Sequence, residues 1–257
     1  MIRNVIDKSL ETMIGNFSIV LKDLANDRML YEKDSARQVA SASTIKILIM
    51  IEAFNQRLKG ELDLNEKLTV KSSEKVEFSL VTVMNTDCYT LRDYIILMMT
   101  VSDNTATNVV MDRLGIDRIN ETGRSLGLCE TKLQRKMMDF KAAEEGRQNY
   151  TSARDMACMM EKLYRNEILT PEACKEMLAI MSINTRKDDI ARYLPPEIRV
   201  AHKGGTLDNL NHDIGIIFHP QGDYLLGIFG TELPNNIEGE EYISQLSKKL
   251  FEHMHAV

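Results

Sequence analysis

The segment Ser43-Thr44-Ile45-Lys46 carries a hydroxyl and an amine three residues apart, a spacing that places both on one face of a helix. The five residues after Lys46 are all apolar, which predicts a buried helix ending near Gly60. Burial disfavours a charged ammonium and lowers the pKa of a lysine, so a neutral amine can accept the proton of a nearby serine. The pattern therefore indicates Ser43 as a nucleophile and Lys46 as its base.

Two other interpretations of this pattern stay open from the residues alone. Ser72 and Lys75 form a second Ser-x-x-Lys match, and about one match is expected by chance in a chain of this length. Lys75 lies among polar residues, however, and so lacks the predicted burial of Lys46. A lysine at a helix start can also keep its amine in water while its stem is buried.

A second polar segment, Ser102-Asp103-Asn104, follows the apolar run 94–99 and precedes another helical pattern. A hydroxyl in this connection can relay a proton to a departing nitrogen, and an amide side chain can both donate and accept hydrogen bonds to a substrate amide. We therefore take Ser102 as catalytic and Asn104 as substrate-binding. The same residue types also cap helices, so a purely structural role remains an alternative.

A third segment, His202-Lys203-Gly204-Gly205-Thr206, follows the predicted strand Ile198 to Ala201. Glycines allow a ligand to approach the backbone closely, and a cation beside bare amides suits a carboxylate. We expect Lys203, Gly205 and Thr206 to bind substrate. A glycine bulge that ends an edge strand is the alternative.

Taken together and in order, the three segments resemble the Ser-x-x-Lys, Ser-Asp-Asn and Lys-Thr-Gly motifs of class A β-lactamases and penicillin-binding proteins. The resemblance covers nearly the whole chain. It implies that Ser43 is acylated, that Lys46 and Ser102 move protons, and that Lys203 attracts a substrate carboxylate. It further implies an aromatic wall at Phe78 beside the entrance. The implied oxyanion hole consists of the amides of Ser43 and Thr206.

The chain departs from the resemblance where class A β-lactamases carry the glutamate that activates the deacylating water. Aligning Thr131 to Arg135 with the start of that loop puts Met137 at the glutamate position and Lys141 at the following asparagine position. The usual deacylation base is therefore absent, and hydrolysis of the acyl-enzyme is expected to be slow. Three nearby carboxylates are candidate substitutes: Asp139, Glu144 and Glu145.

Two further departures concern the substrate carboxylate. Gly204 stands where a hydroxyl normally helps to hold it, and Thr206 compensates only partly. The strand start 211–214 contains no arginine, although many class A enzymes have a carboxylate-binding guanidinium there. The sequence therefore predicts modest affinity for penicillin-like acids.

The elements that must position these residues change character along the chain. Strand-like runs at 16–31 and 198–231 enclose a mainly helical middle, and an amphipathic helix closes the chain. This order predicts an α+β fold: an antiparallel sheet built from both chain ends, flanked by helices, with an inserted all-helical domain. We expect residues 1–52 and 187–257 in the sheet domain and residues 53–186 in the helical domain.

Composition narrows the classes of partner. The 257 residues carry a net charge of −6, which argues against nucleic acid, and a small-molecule or peptide-like acyl substrate is expected instead. Five scattered histidines and four widely spaced cysteines suggest no metal site, and we expect no cofactor. We find no predicted membrane span and no secretory signal. The protein as given is expected to be cytoplasmic, or extracellular or periplasmic if a signal peptide was removed.

The predicted function is a class A β-lactamase-like serine hydrolase that opens β-lactam or related amide and ester bonds through Ser43, with slow deacylation. One alternative is a penicillin-binding protein or sensor of β-lactams or peptidoglycan that is acylated without turnover. Another is an esterase for small substrates. The segment Gly123 to Gly127 also matches the nucleophile elbow of α/β-hydrolases, but polar, helical residues precede it where that elbow requires a buried strand.

Overall fold

The computed structural model describes residues 2–183 and 188–254. Its strands are Asn16–Asp23 (β1), Arg28–Lys33 (β2), Val39–Ala40 (β3), Lys67–Thr69 (β4), Cys88–Thr90 (β5), Tyr150–Thr151 (β6), Val200–Leu207 (β7), Leu210–Ile217 (β8) and Tyr224–Thr231 (β9). Its helices are Ile2–Leu10 (α1), Lys46–Leu58 (α2), Leu91–Thr100 (α3), Asn104–Leu114 (α4), Ile116–Ser125 (α5), Phe140–Glu144 (α6), Ala153–Tyr164 (α7), Pro171–Ser182 (α8) and Asn236–Met254 (α9). None of the helices in these ranges combines the length and the apolar character needed to cross a membrane.

A five-stranded sheet in the order β2-β1-β9-β8-β7 forms the centre of the fold, and every neighbouring pair is antiparallel. Two strands come from the start of the chain and three from its last third. The predicted α+β fold, with one antiparallel sheet assembled from both chain ends and flanked by helices, is confirmed. The helical middle also contains short strands, β4 to β6, which the sequence analysis did not predict.

The sheet separates two hydrophobic cores because successive side chains of a strand point to opposite faces. In β1, Ile19 and Leu21 belong to the core shared with α1 and α9, whereas Val20 belongs to the core shared with the helical middle. The second core also contains most of α2, which is buried from Lys46 to Phe54. A helix that is buried on all sides needs apolar residues all round, which explains the unbroken apolar run after Lys46.

The division into two domains stays a prediction. Its boundary between residues 52 and 53 lies inside α2, and its boundary at residue 187 lies outside the described residues. The hydrophobic cluster that contains α2 also contains residues of the other helices and of the sheet. This cluster therefore joins the predicted sheet domain to the predicted helical domain.

The expected strand end before the glycine-rich segment is wrong. Strand β7 continues from Val200 to Leu207, through both glycines. Its pairing with β8 proceeds residue by residue without a register shift, so the segment is not a bulge. Glycine is tolerated within this strand because the strand edge must approach other backbone closely, as the site geometry below shows.

The predicted first turn of the Ser43 helix is also different from the structure. Ser43 lies in a tight 3-10 turn, Ala42–Ile45, and α2 begins only at Lys46. The backbone N–H of Lys46 donates to the carbonyl of Ser43, three residues earlier, and Ala42 adopts a left-handed φ of 44°. The chain therefore enters α2 through a tighter spiral than the helical spacing of Ser43 and Lys46 suggested.

The nucleophile-elbow match is not an elbow in the structure. Ser125 is the last residue of α5, its hydroxyl donates to the carbonyl of Thr122, and Gly127 follows with a left-handed φ of 81°. The glycine follows the end of a helix, so no strand precedes this serine.

Candidate active site

A cleft of about 740 Å³ opens between β7, the 3-10 turn, the start of α4 and the loop 135–149. Seven of the residues that we expected in a site line this cleft: Ser43, Phe78, Ser102, Asn104, Lys203, Gly205 and Thr206. Lys46, the eighth, is fully buried and extends to the Ser102 end of the cleft through its hydrogen bonds. Three distant stretches of the chain therefore meet in one place, as the motifs required.

The Lys46 amine is surrounded by three oxygen atoms. Its Nζ lies 2.7 Å from the carbonyl oxygen of Ser102, 3.0 Å from Ser102 Oγ and 3.1 Å from Asn104 Oδ1. Two of these oxygens only accept hydrogen bonds, whereas the hydroxyl can donate. A neutral amine that donates twice and accepts once satisfies all three contacts.

Burial holds the pKa of Lys46 well below its usual value of 10.5. The nearby charge of Lys203 lowers this pKa further, and the charge of Asp103 opposes the effect. Desolvation acts more strongly because the ammonium loses its water shell and gains only one opposing carboxylate nearby. The interpretation of Lys46 as a lysine with its amine in water is therefore wrong.

Lys203 approaches the same hydroxyl from the sheet. Its Nζ lies 3.2 Å from Ser102 Oγ and 2.7 Å from the carbonyl oxygen of Gly204. Ser102 Oγ is thus within hydrogen-bond distance of both lysine amines, one from α2 and one from β7. This convergence places one hydroxyl between the buried amine and the strand-edge cation.

The backbone of Ser43 lies against the edge of β7. Within the described ranges, the Ser43 hydroxyl makes no hydrogen bond, and the expected contact with the Lys46 amine is not formed. A Cβ atom added to Gly205 would lie only 2.7 Å from the Ser43 backbone nitrogen and 2.9 Å from Ala42 Cβ. The missing side chain of Gly205 is what lets the Ser43 amide reach the edge of β7.

Asp103 holds the Ser102 loop in place without lining the cleft. Its Oδ1 accepts hydrogen bonds from the Ala106 backbone at 2.8 Å and from Ser79 Oγ at 2.7 Å, while Oδ2 accepts the Val81 backbone N–H at 3.1 Å. It is therefore the N-cap of α4 and also a clamp on the loop around residue 79. The capping role of the motif therefore belongs to Asp103, while the side chains of its neighbours Ser102 and Asn104 contact the buried amine.

Backbone strain is concentrated around the cleft. Ten described residues other than glycine have a left-handed φ, and half of them line the cleft: Ala42, Phe78, Ser102, Met138 and Asp189. Such conformations cost about 1–3 kcal/mol each for non-glycine residues and persist where the surrounding structure over-determines them. Phe78 is 78% exposed, so its ring does not pack in a core. Neither the residue types nor their spacing indicated these strained positions.

Residues 1–254 match the model of a protein family described as "Beta-lactamase enzyme family". The chain belongs to this family. It is 25% identical to β-lactamase BRO-1 of Moraxella catarrhalis over 228 residues, which are 81% of this chain and 71% of that protein. A β-lactamase of Bacillus licheniformis is also 25% identical, over 85% of this chain and 71% of the relative.

Solved structures of the β-lactamase family have the same fold. The β-lactamase of Sphaerobacter thermophilus is 26% identical, with a TM-score of 0.90 over 100% of this chain and 97% of its own. A leucine-to-glutamate variant of PBP-A, solved as an acyl-enzyme complex with penicillin G, is 26% identical, with a TM-score of 0.89 over 100% and 96%. Family and fold together support a serine hydrolase of the β-lactamase type.

Met137 lines the cleft of this β-lactamase-family chain and is only 8% exposed. The Asn108 side chain holds its backbone from both sides, accepting its N–H at 2.8 Å and donating to its carbonyl at 3.1 Å. A thioether cannot accept a proton from water, so no base is present at this point of the wall.

The three carboxylates expected as substitutes do not line the cleft. Asp139 caps α6 by accepting the Ala142 N–H at 3.0 Å, and Glu145 pairs with Arg147 in solvent. Glu144 and the aligned Lys141 are also exposed outside the cleft. The carboxylates that do line it belong mainly to the sheet side: Asp188, Asp189, Asp208, Asp213 and Glu240.

Asp213 occupies the strand start where the expected arginine is missing. It lies opposite Gly204 in the β7–β8 register and is fully buried. Its Oδ2 lies 2.9 Å from His202 Nδ1 and accepts the Ile190 N–H at 3.2 Å. The segment 211–214, which contains no arginine, therefore contributes a carboxylate held by an imidazole to the part of the cleft beside Lys203.

Within the described ranges, no group of three His, Cys, Asp or Glu side chains is arranged to hold a metal ion.

Proposed function

We propose that this chain is a serine hydrolase that opens β-lactam or related amide and ester bonds through an acyl-enzyme at Ser43, and that it deacylates slowly. The observation that carries the proposal is the buried Lys46 amine, held 3.0 Å from Ser102 Oγ in the wall of the cleft that Ser43 lines. A desolvated amine in hydrogen-bond contact with a hydroxyl is a base with a path for its proton.

In the acylation step, Ser43 Oγ attacks the carbonyl carbon of the substrate and a C–O bond forms. The hydroxyl proton passes to the Lys46 amine, directly or through Ser102 Oγ. The oxyanion is stabilised by the backbone amides of Ser43 and Thr206. When the C–N or C–O bond to the leaving group breaks, Ser102 delivers a proton to that group and regains one from Lys46.

Substrate binding uses the groups on the sheet side and at the entrance. Lys203 attracts the substrate carboxylate, Asn104 hydrogen-bonds the substrate amide, and Thr206 adds a hydroxyl near the strand end. Gly205 lets the acyl carbonyl lie against the strand, and the exposed ring of Phe78 forms a wall beside the entrance. Because Asp213 and Gly204 stand where carboxylate-binding groups are expected, affinity for penicillin-like acids is modest.

Deacylation is the slow step because the wall that should supply a base is apolar at Met137. Hydrolysis of the ester needs a water molecule whose proton is removed as it attacks. PBP-A, a structural neighbour, has been captured with penicillin G as an acyl-enzyme in a variant form. That precedent supports penicillin as a probe for this chain.

The test incubates the protein with a fluorescent penicillin and with a chromogenic cephalosporin, following intact mass and turnover beside a Ser43→Ala control. We expect a stable adduct on the native chain, slow turnover and no adduct on the variant. An adduct without any turnover would favour the penicillin-binding or sensor function. Rapid turnover would contradict slow deacylation, and ester cleavage with no penicillin adduct would favour the esterase.

A further inference from the structure

Arg135 places a guanidinium in the cleft, and none of the carboxylates in the described ranges forms an ion pair with it. It is partly buried and lines the cleft on the side of the loop 135–149. Its Nε and Nη2 donate to Gln148 Oε1 at 3.1 and 2.8 Å, and its Nη1 donates to the carbonyl of Lys136 at 3.1 Å. Among the described residues, no carboxylate oxygen lies within the 4.0 Å of an ion pair with it. Burial lowers its pKa, and only the more distant charge of Asp139 opposes this.

Two other cations of the same loop have carboxylate partners. Lys136 Nζ pairs with Asp112 at 2.6 Å, and Arg147 pairs with Glu145. Burying a charge without a counter-ion costs free energy, so such a charge is retained where something else supplies its partner. A guanidinium has five N–H donors, of which three are used here, so donors remain for a ligand.

The position of Arg135 is fixed relative to the nucleophile. Asn149 Oδ1 accepts the N–H of Arg135 at 3.0 Å, and Asn149 Nδ2 donates to the Arg135 carbonyl at 3.0 Å. The backbone carbonyl of Asn149 in turn accepts the N–H of Ser41 at 2.8 Å, two residues before Ser43. The loop that carries the guanidinium is thus hydrogen-bonded to the strand that leads into the nucleophile turn.

The wall around Arg135 is apolar, with Met137, Phe140 and Ala143 lining the cleft beside it. In the proposed function Lys203, on the sheet wall, attracts the substrate carboxylate, which in a penicillin belongs to the ring that contains the leaving nitrogen. The loop wall then faces the acyl side chain. We propose that Arg135 binds a carboxylate at the end of an apolar acyl chain, so that the preferred substrates are acyl donors derived from dicarboxylic acids. This inference rests on the proposed function, since it assigns the acyl side of the same site.

The test compares two p-nitrophenyl esters of equal chain length, the hexanoate and the mono-ester of adipic acid. The measured quantity is the ratio of their kcat/KM values, adipate over hexanoate. We expect Arg135→Gln to lower this ratio by about tenfold to a hundredfold, the value of a charge-assisted hydrogen bond. Arg135→Lys should retain part of the preference, because it keeps the charge and loses the planar fork.

Lys136→Gln is the matched control, because it removes the same charge from the adjacent residue outside the cleft. Its ratio should equal that of the native chain. A general loss from a loosened loop would lower both esters together and leave the ratio unchanged, which would overturn the proposal. Equal cleavage of both esters by the native chain would also overturn it. If the native chain cleaves neither ester and forms no penicillin adduct, the proposed function itself fails.

Discussion

The two walls of the cleft differ in the polar groups that they present to a substrate. On the side of α2, α4 and β7, two lysine amines lie within hydrogen-bond distance of one hydroxyl, and an asparagine oxygen accepts from the buried amine. On the side of the loop 135–149, an apolar thioether occupies the place of a base, and Arg135, which lines the cleft, has no carboxylate partner in the described structure. In the proposed function the first wall forms the acyl-enzyme, and the second lacks a base to hydrolyse it. Slow deacylation is therefore assigned to one wall, and substitutions on the two walls should have separable effects.

The largest effect is expected on the first wall, from Lys46→Met. Removing a buried general base should lower the rate of penicillin acylation by about 10²- to 10⁴-fold. Stopped-flow or mass-resolved adduct formation measures this rate. The matched control is Lys75→Met in the second Ser-x-x-Lys segment, whose amine pairs with Asp87 at 2.6 Å outside the cleft. Equal rates for the two variants would show that Lys46 is not the base.

Gly205→Ala should have the next largest effect. Its Cβ would lie 2.7 Å from the Ser43 nitrogen, so either β7 or the nucleophile turn must move. Displacing one oxyanion donor costs about 10²- to 10³-fold in rate. Gly204→Ala on the same strand is the control. Its added Cβ would lie no closer than 3.2 Å to any of its nearest atoms, the nearest being Oδ2 of the Asp189 side chain. If both variants acylate at the native rate, the Ser43 amide takes no part in the reaction.

Much of the first wall was predictable, because its chemistry resides in residue types at fixed spacing. The apolar run after Lys46 indicated burial, and the structure confirms a fully buried side chain there. The alternation of strand-like and helical runs was sufficient to predict a sheet from both chain ends. What failed were local conformations: the 3-10 turn at Ser43 and the continuation of β7 through its glycines depend on tertiary contacts that spacing does not encode.

For the second wall, the sequence analysis predicted only that the usual deacylation base is absent. Alignment by motif indicated that Met137 replaces a base, but it proposed nearby carboxylates that the structure places outside the cleft. Arg135 was not recognised, since an arginine in a loop is ordinary and its missing counter-ion is visible only in three dimensions. The strained backbone at Phe78 and Met138 was equally hidden, because neither residue type favours a left-handed φ.

Met137→Glu tests whether the second wall alone limits turnover. A carboxylate at this position should raise the deacylation rate of the penicillin adduct at least about tenfold. A well-positioned base contributes about 10²-fold or more, so tenfold is the minimum expected. Burying the new charge should lower the free energy of unfolding by about 1–3 kcal/mol. Met138→Glu, one residue along, serves as the control. Equal deacylation by both variants would mean that a carboxylate anywhere in this wall suffices, or that the base acts elsewhere.

The smallest effect is the dependence of stability on pH through Lys46. Its folded pKa lies well below 10.5, so between that value and the unfolded pKa the unfolded chain binds the proton and the folded chain does not. The free energy of unfolding should then rise with pH across this window, by at most about 1.4 kcal/mol per pH unit. Urea unfolding of the native chain and of Lys46→Met at several pH values isolates the contribution, because the other titrating groups are shared. The difference between the two should grow in favour of the native chain as pH rises. A flat difference would mean that the amine keeps its proton on folding, and the base of the first wall would have to be sought elsewhere.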